Sequence, residues 1–286
     1  MRDTSPEIGS FVALGDSFTE GLGDPYLDAA GPGPAYPGLG YRGWADRFAE
    51  RLAAGRPGLR YANLAVRGKL AGEVVAEQVP LAIAMTPDLA SIAAGGNDLL
   101  RRRADPDALA LTFEAAVGGL QAAGCEVMVF TGFDPRTFPV IRLIRGKVAA
   151  YNLHLRAIAD RAGCHLVDLW SMRVLDDPRE WSPDRLHLSS DGHRRVALRA
   201  CEVMGVPVEE DWREPLPTRA GSEPVRFKAA AQDRTAVLNQ TAGWLAARRL
   251  DARWARQHAV PWAARRLRGV SSGDGIPPKR PQMLPL

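Results

Sequence analysis

The chain has 286 residues, 46% of them hydrophobic, and can bury a full core as one large domain with an appendage. Its three cysteines, Cys125, Cys164 and Cys201, are odd in number, widely spaced and without a CxxC pair, which argues against a disulfide framework and a zinc site. No stretch approaches the length of a membrane span, and residues 1–7 lack the apolar core of a secretory signal, so a soluble, cytoplasmic protein is expected. Residues 1–225 carry 25 Lys and Arg against 30 Asp and Glu, whereas residues 226–286 carry 12 against 3. The net charge of +4 therefore divides into a body of −5 and a tail of +9. Thirty-three arginines against four lysines, with abundant alanine, point to a GC-rich genome such as that of an actinobacterium.

In chain order, short apolar runs alternate with longer helical patterns. Strands are expected at 9–14, 59–64, 88–93, 126–131 and 165–169, and helices at 44–53, 71–84, 106–122, 141–162 and 189–204. This alternation predicts βαβ units, hence a parallel sheet covered by helices on both faces. Ligands of such folds bind at the carboxyl ends of the strands. There the sequence places Gly15-Asp16-Ser17 after the first strand, the segment ending in Arg67-Gly68 after the second, Gly96-Asn97-Asp98 after the third, and Asp184-Arg185-Leu186-His187 after the fifth. A serine lifted above the end of a buried strand is a candidate nucleophile, and it requires a base and an oxyanion donor to act as one.

These four blocks, in this order over roughly the first 205 residues, resemble the SGNH hydrolases, the GDSL-type esterases and lipases. The resemblance implies a flavodoxin-like three-layer α/β/α sandwich with a five-stranded parallel sheet. It also implies an acyl-serine mechanism with Ser17 as nucleophile, His187 as general base then acid, and Asp184 holding the imidazole. The oxyanion hole implied is the backbone N–H of Ser17, the backbone N–H of Gly68 and the side-chain amide of Asn97. No cofactor and no metal is expected, because no histidine pair has metal-ligand spacing with a carboxylate.

Substrate selection is less legible. Phe133, Phe138, Val140 and Ile141 follow the fourth strand and either line an acyl pocket or form core beneath a Pro-stiffened loop. Trp181 either shields the site from water or fills the core. Arg101 and Arg102 either contact an anionic substrate group or start a solvated helix. The expected organisation is a catalytic domain at 1–208, an acidic Pro-rich connector at 209–225, a basic helical extension with Trp244, Trp254 and Trp262 at 226–270, and an extended or disordered tail at 271–286. The extension suits docking on the acidic body of its own or a second subunit, or on an anionic membrane surface; no nucleic-acid motif accompanies its charge. The leading functional expectation is a carboxylesterase acting on a small acyl ester or thioester. The runner-up is an acyltransferase that discharges the acyl group onto a sugar hydroxyl, for example of a glucosylglycerate precursor. A non-catalytic lipid- or carbohydrate-binding module is the third reading, and the five intact site residues argue against it.

Overall fold

β1, Ser10–Gly15, is buried along its whole length, and its side chains alternate between two cores. Phe11 and Ala13 face one apolar cluster while Val12 and Leu14 face the other. That period of two, with apolar residues on both faces, is the signature of a central strand covered on both sides. The structure, a computed structural model, describes residues 8–26, 40–138, 141–217 and 271–286.

The remaining strands are β2 (Arg60–Asn63), β3 (Leu89–Ala93), β4 (Glu126–Phe130), β5 (His165–Val167) and β6 (Arg280–Pro285). They form one sheet in the order β5-β4-β3-β1-β2-β6. β1 to β5 are mutually parallel in the flavodoxin-like order. The helices are α1 (Ser17–Glu20), α2 (Gly43–Gly55), α3 (Ala71–Glu73), α4 (Val79–Met85), α5 (Gly96–Leu99), α6 (Pro106–Ala122), α7 (Arg145–Ala162) and α8 (Ser190–Val203). One face of the sheet packs Trp44 and Phe48 of α2 with Val196, Ala197 and Ala200 of α8. The other packs Phe113, Val117 and Leu120 of α6 with Tyr151, Leu155 and Ile158 of α7.

Two local expectations need correction. The sheet has six strands rather than five, because the C-terminal segment supplies β6, which runs antiparallel to β2. Its sequence, Arg280-Pro-Gln-Met-Leu-Pro285, holds two prolines and lies in the segment expected to be an extended or disordered tail. An edge strand tolerates them because it needs only one hydrogen-bonding side, and the pairing shifts register between Tyr61 and Asn63. The helix expected at 71–84 is also interrupted, by a π-helical stretch at Val74–Gln78 that precedes Pro80. Proline lacks an N–H and crowds the carbonyl four residues back, so the regular ladder cannot run through it.

The chain divides into two compact units, residues 1–214 with 272–286, and residues 215–271. The basic extension expected at 226–270 lies outside the described residues, as do most of the loop before α2 and Val140. Among the described residues, no helix is long and apolar enough to cross a membrane.

Candidate active site

Three strand ends converge. β1 runs into α1, whose first residue is Ser17 and whose N-cap is Asp16, accepting a hydrogen bond from the Phe18 N–H at 3.1 Å. The loop after β2 carries Gly68, and α5 after β3 carries Asn97. Gly68 has φ +78°, a backbone conformation that a residue with a Cβ adopts only under strain.

The fourth component is the loop before α8. His187 Nε2 lies 3.0 Å from Ser17 Oγ, and His187 Nδ1 lies 2.6 Å from Asp184 Oδ2. The other Asp184 oxygen accepts from Ser182 Oγ at 2.6 Å and from the Leu186 and His187 N–H groups at 2.9 and 3.0 Å. Arg185, between them, sits at φ +54°, unusual for a residue with a side chain, in the loop that turns those two N–H groups onto the carboxylate. Burial works against the Asp184 charge. The hydrogen bond and charge of His187, with Ser182 and the Leu186 amide, outweigh it and hold the carboxyl far below the usual range. A permanently ionised Asp184 fixes the proton on Nδ1 and leaves Nε2 as acceptor toward Ser17.

Asn97 Nδ2 donates to Asp16 Oδ2 and to the Lys69 carbonyl, each at 3.0 Å, so Asn97 bridges the nucleophile turn and the Gly68 loop. Burial pushes the Asp16 carboxyl up to about 6, against the opposing effects of the Phe18 amide and the His187 charge. Asp98 Oδ2 accepts from the Ala71 N–H at 3.0 Å and ties α5 to α3.

Two supports are invisible as motifs. Gln78, in the π-helical stretch, grips Gly15: its Oε1 accepts from the Gly15 N–H at 2.8 Å and its Nε2 donates to the Gly15 carbonyl at 2.9 Å. The interrupted helix therefore braces the residue two before the nucleophile, and π-bulges recur at functional sites. Glu20 accepts from the Arg67 N–H at 2.7 Å and pairs with the Arg67 guanidinium, fixing the residue before Gly68. Gln78 stands next to Glu77 in a helix that also carries Glu73, so the sequence held no signal that set it apart, and none for Glu20.

The candidate substrate residues have these surroundings. Phe133, Phe138 and Trp181 pack on one another, with ring centroids 4.4–5.8 Å apart. Trp181 is buried, donates Nε1–H to the Leu175 carbonyl at 2.8 Å and pairs with Leu188, next to His187. Ile141 is half-buried against the same core, which carries the His187 loop. Arg101 and Arg102 are exposed, and their carbonyls accept from Lys147 Nζ at 3.2 and 3.0 Å. His193 is neutral: burial pulls it down to about 4, while Nδ1 accepts from the Trp44 N–H and Nε2 donates to the Leu22 carbonyl. His154 and His165 pair with Asp107 and Glu126. Among the described residues, no cluster of His, Cys, Asp and Glu could hold a metal ion.

The fold and this convergence define a serine hydrolase-type site on a parallel α/β sheet. The model of the GDSL-like lipase/acylhydrolase family matches residues 13–195, and the chain belongs to that family. No curated protein matches it. Among solved structures it is similar to LAE5, an alpha/beta hydrolase enzyme from the metagenome of Lake Arreo, Spain, at 23% identity and TM-score 0.57, covering 69% of this chain and 95% of that one. It is similar to Axe2, an acetylxylan esterase from Geobacillus stearothermophilus, at 21% identity and TM-score 0.55, covering 72% and 96%. It is also similar to the esterase EstA from Pseudoalteromonas sp., at 16% identity and TM-score 0.52, covering 69% and 97%. At these identities the likeness establishes the fold. The family is one of esterases and acylhydrolases, which makes the chain an enzyme of that broad class.

Proposed function

We propose that the protein is a carboxylesterase that cleaves a small acyl ester or thioester through an acyl-Ser17 intermediate. The observation that carries this reading is the hydrogen-bonded line from Ser17 Oγ through His187 to Asp184. His187 Nε2 takes the hydroxyl proton as Ser17 Oγ attacks the carbonyl carbon, and Asp184 stabilises the imidazolium that forms. Negative charge gathers on the former carbonyl oxygen, opposite the N–H groups of Ser17 and Gly68 and the amide of Asn97. For that, Asn97 must turn one hydrogen away from Asp16 or Lys69, since both of its hydrogens are engaged in the resting site. Catalytic hydrogen bonds of apo sites commonly rearrange in this way when substrate binds. Collapse of the tetrahedral intermediate expels the alcohol, or the thiol, with the proton from His187. Water, deprotonated by the same imidazole, then releases the acid and restores Ser17.

The test is product analysis with a p-nitrophenyl ester and with an acyl-CoA, for wild type and Ser17→Ala, with and without a simple sugar. Free acid released at a rate indifferent to sugar, and lost in Ser17→Ala, is the expected result. Acyl product recovered only as sugar ester, with no free acid, would reassign the second step to transfer. Undiminished turnover by Ser17→Ala would remove the mechanism.

A further inference from the structure

The C-terminal segment beyond residue 271 falls outside the family match, which ends at residue 195, yet it returns to the site-bearing unit. It is pinned there at three points. Arg280, almost fully buried, donates Nε–H to the Tyr61 carbonyl of β2 at 2.8 Å and caps the Leu284 and Pro285 carbonyls of its own strand. Lys279 buries its ammonium among the Arg42 carbonyl at 2.7 Å, Asp46 Oδ2 at 2.8 Å and the Tyr41 carbonyl at 3.2 Å. Asp46 also accepts from Tyr61 and Tyr26, so the positive charge enters a prepared set of acceptors. A buried ammonium is tolerated only when paired and bonded in this way.

The third point is Gly273. A Cβ there would fall 2.0 Å from the Arg67 carbonyl oxygen and 2.9 Å from Val66 Cγ1, so the strap's backbone lies directly against that carbonyl. The Arg67 carbonyl and the Gly68 N–H belong to one peptide unit. That unit is planar and trans, so oxygen and hydrogen point in opposite directions and turn together. Glu20 holds the N–H of Arg67 from the other end, and the Arg67 guanidinium lies over the Tyr41 ring, 5.2 Å from its centroid, on the segment that Lys279 grips.

The geometry points to a positioning role: residues 273–280 form a strap that fixes the plane of the Arg67–Gly68 peptide and thereby aims the Gly68 N–H, with Gly273 as the contact and Lys279 as the latch. This rests on the proposed role of Gly68 as an oxyanion donor. Preorganised donors contribute because they need not reorient as charge develops, so a tilted peptide lowers turnover without weakening ground-state binding. Gly273 admits no side chain for that reason, and Lys279 supplies the buried charge pair that holds the strap in register.

The test uses the full-length protein and its Gly273→Ala and Lys279→Met variants, with a p-nitrophenyl acyl ester as substrate and a p-nitrophenyl alkylphosphonate as site titrant. Rates are expressed per titrated site, so partial misfolding of a variant drops out. In both variants kcat is expected to fall roughly 10-fold or more, with KM within about twofold and the pH profile of kcat/KM unmoved, the pattern of a lost transition-state contact. A purely structural strap would lower the melting temperature and leave kcat per site unchanged, and that result overturns the inference alone. Wild-type protein that the phosphonate does not label on Ser17 would instead overturn the reading on which the inference stands.

Discussion

Gln78→Met isolates the brace on the nucleophile turn. Methionine is close in size to glutamine and keeps the helix, but it cannot grip Gly15. Gln78 is only 4% exposed, so water does not replace it. The Gly15 carbonyl still accepts from the Val66 N–H at 3.2 Å, whereas the Gly15 N–H is left without its 2.8 Å acceptor. One orphaned buried donor costs about 1–3 kcal/mol and one further lost hydrogen bond about 1 kcal/mol, giving a loss of roughly 2–4 kcal/mol. For a body of this size that corresponds to a fall in Tm of about 4–16 °C. Urea unfolding of the wild type and variant, followed by tryptophan fluorescence, measures it. kcat should fall as well, because Gly15 leads directly into Asp16 and Ser17. A stability loss under about 1 kcal/mol would refute the reasoning, since it would mean that the Gly15 N–H is not committed to Gln78.

Asn97→Ala should lower kcat by on the order of 10²- to 10³-fold with little change in KM, read from steady-state ester hydrolysis. Glu180→Leu should cost about 3–5 kcal/mol in urea unfolding, because it leaves the buried Arg195 charge without the carboxylate that now meets it at 2.7 Å, the Trp212 carbonyl being a neutral partner. Asp16 sets a pH dependence. Its carboxyl rises from 3.8 to about 6 on folding, so its stabilising contribution is complete below pH 3.8 and is lost as the pH rises through 6. The wild type should therefore lose on the order of 3 kcal/mol relative to Asp16→Asn between pH 4 and pH 7; a gap that does not change with pH would count against a buried, protonating Asp16.

Much of this arrangement could be read directly from residues. Central parallel strands are covered on both faces, so β1 and β3 stand out as mostly apolar runs, and the Ser17 and Asn97 blocks fall just beyond them. The order Ser17, Gly68, Asn97, Asp184, His187 carries the family because each position needs a particular residue type. What escaped depends on contacts between residues distant in sequence. β6 is disguised by Pro281 and Pro285, and its partner lies more than 200 residues earlier. Gln78 resembles any polar residue on a helix until Gly15 is seen beside it. The Phe133, Phe138 and Trp181 rings are ambiguous in the sequence between pocket and packing, since aromatic residues serve both; that they touch one another and that Trp181 donates to the Leu175 carbonyl depends on folding.

The central claim is that acyl groups pass through Ser17. Full-length protein mixed with a medium-chain p-nitrophenyl ester, quenched in acid at successive times and analysed by peptide mass spectrometry, tests it most directly. The account predicts an acyl adduct on the peptide containing Ser17 that forms before free acid accumulates and is absent from Ser17→Ala. Steady release of acid with that peptide unmodified at every time, or equal release by Ser17→Ala, would contradict it.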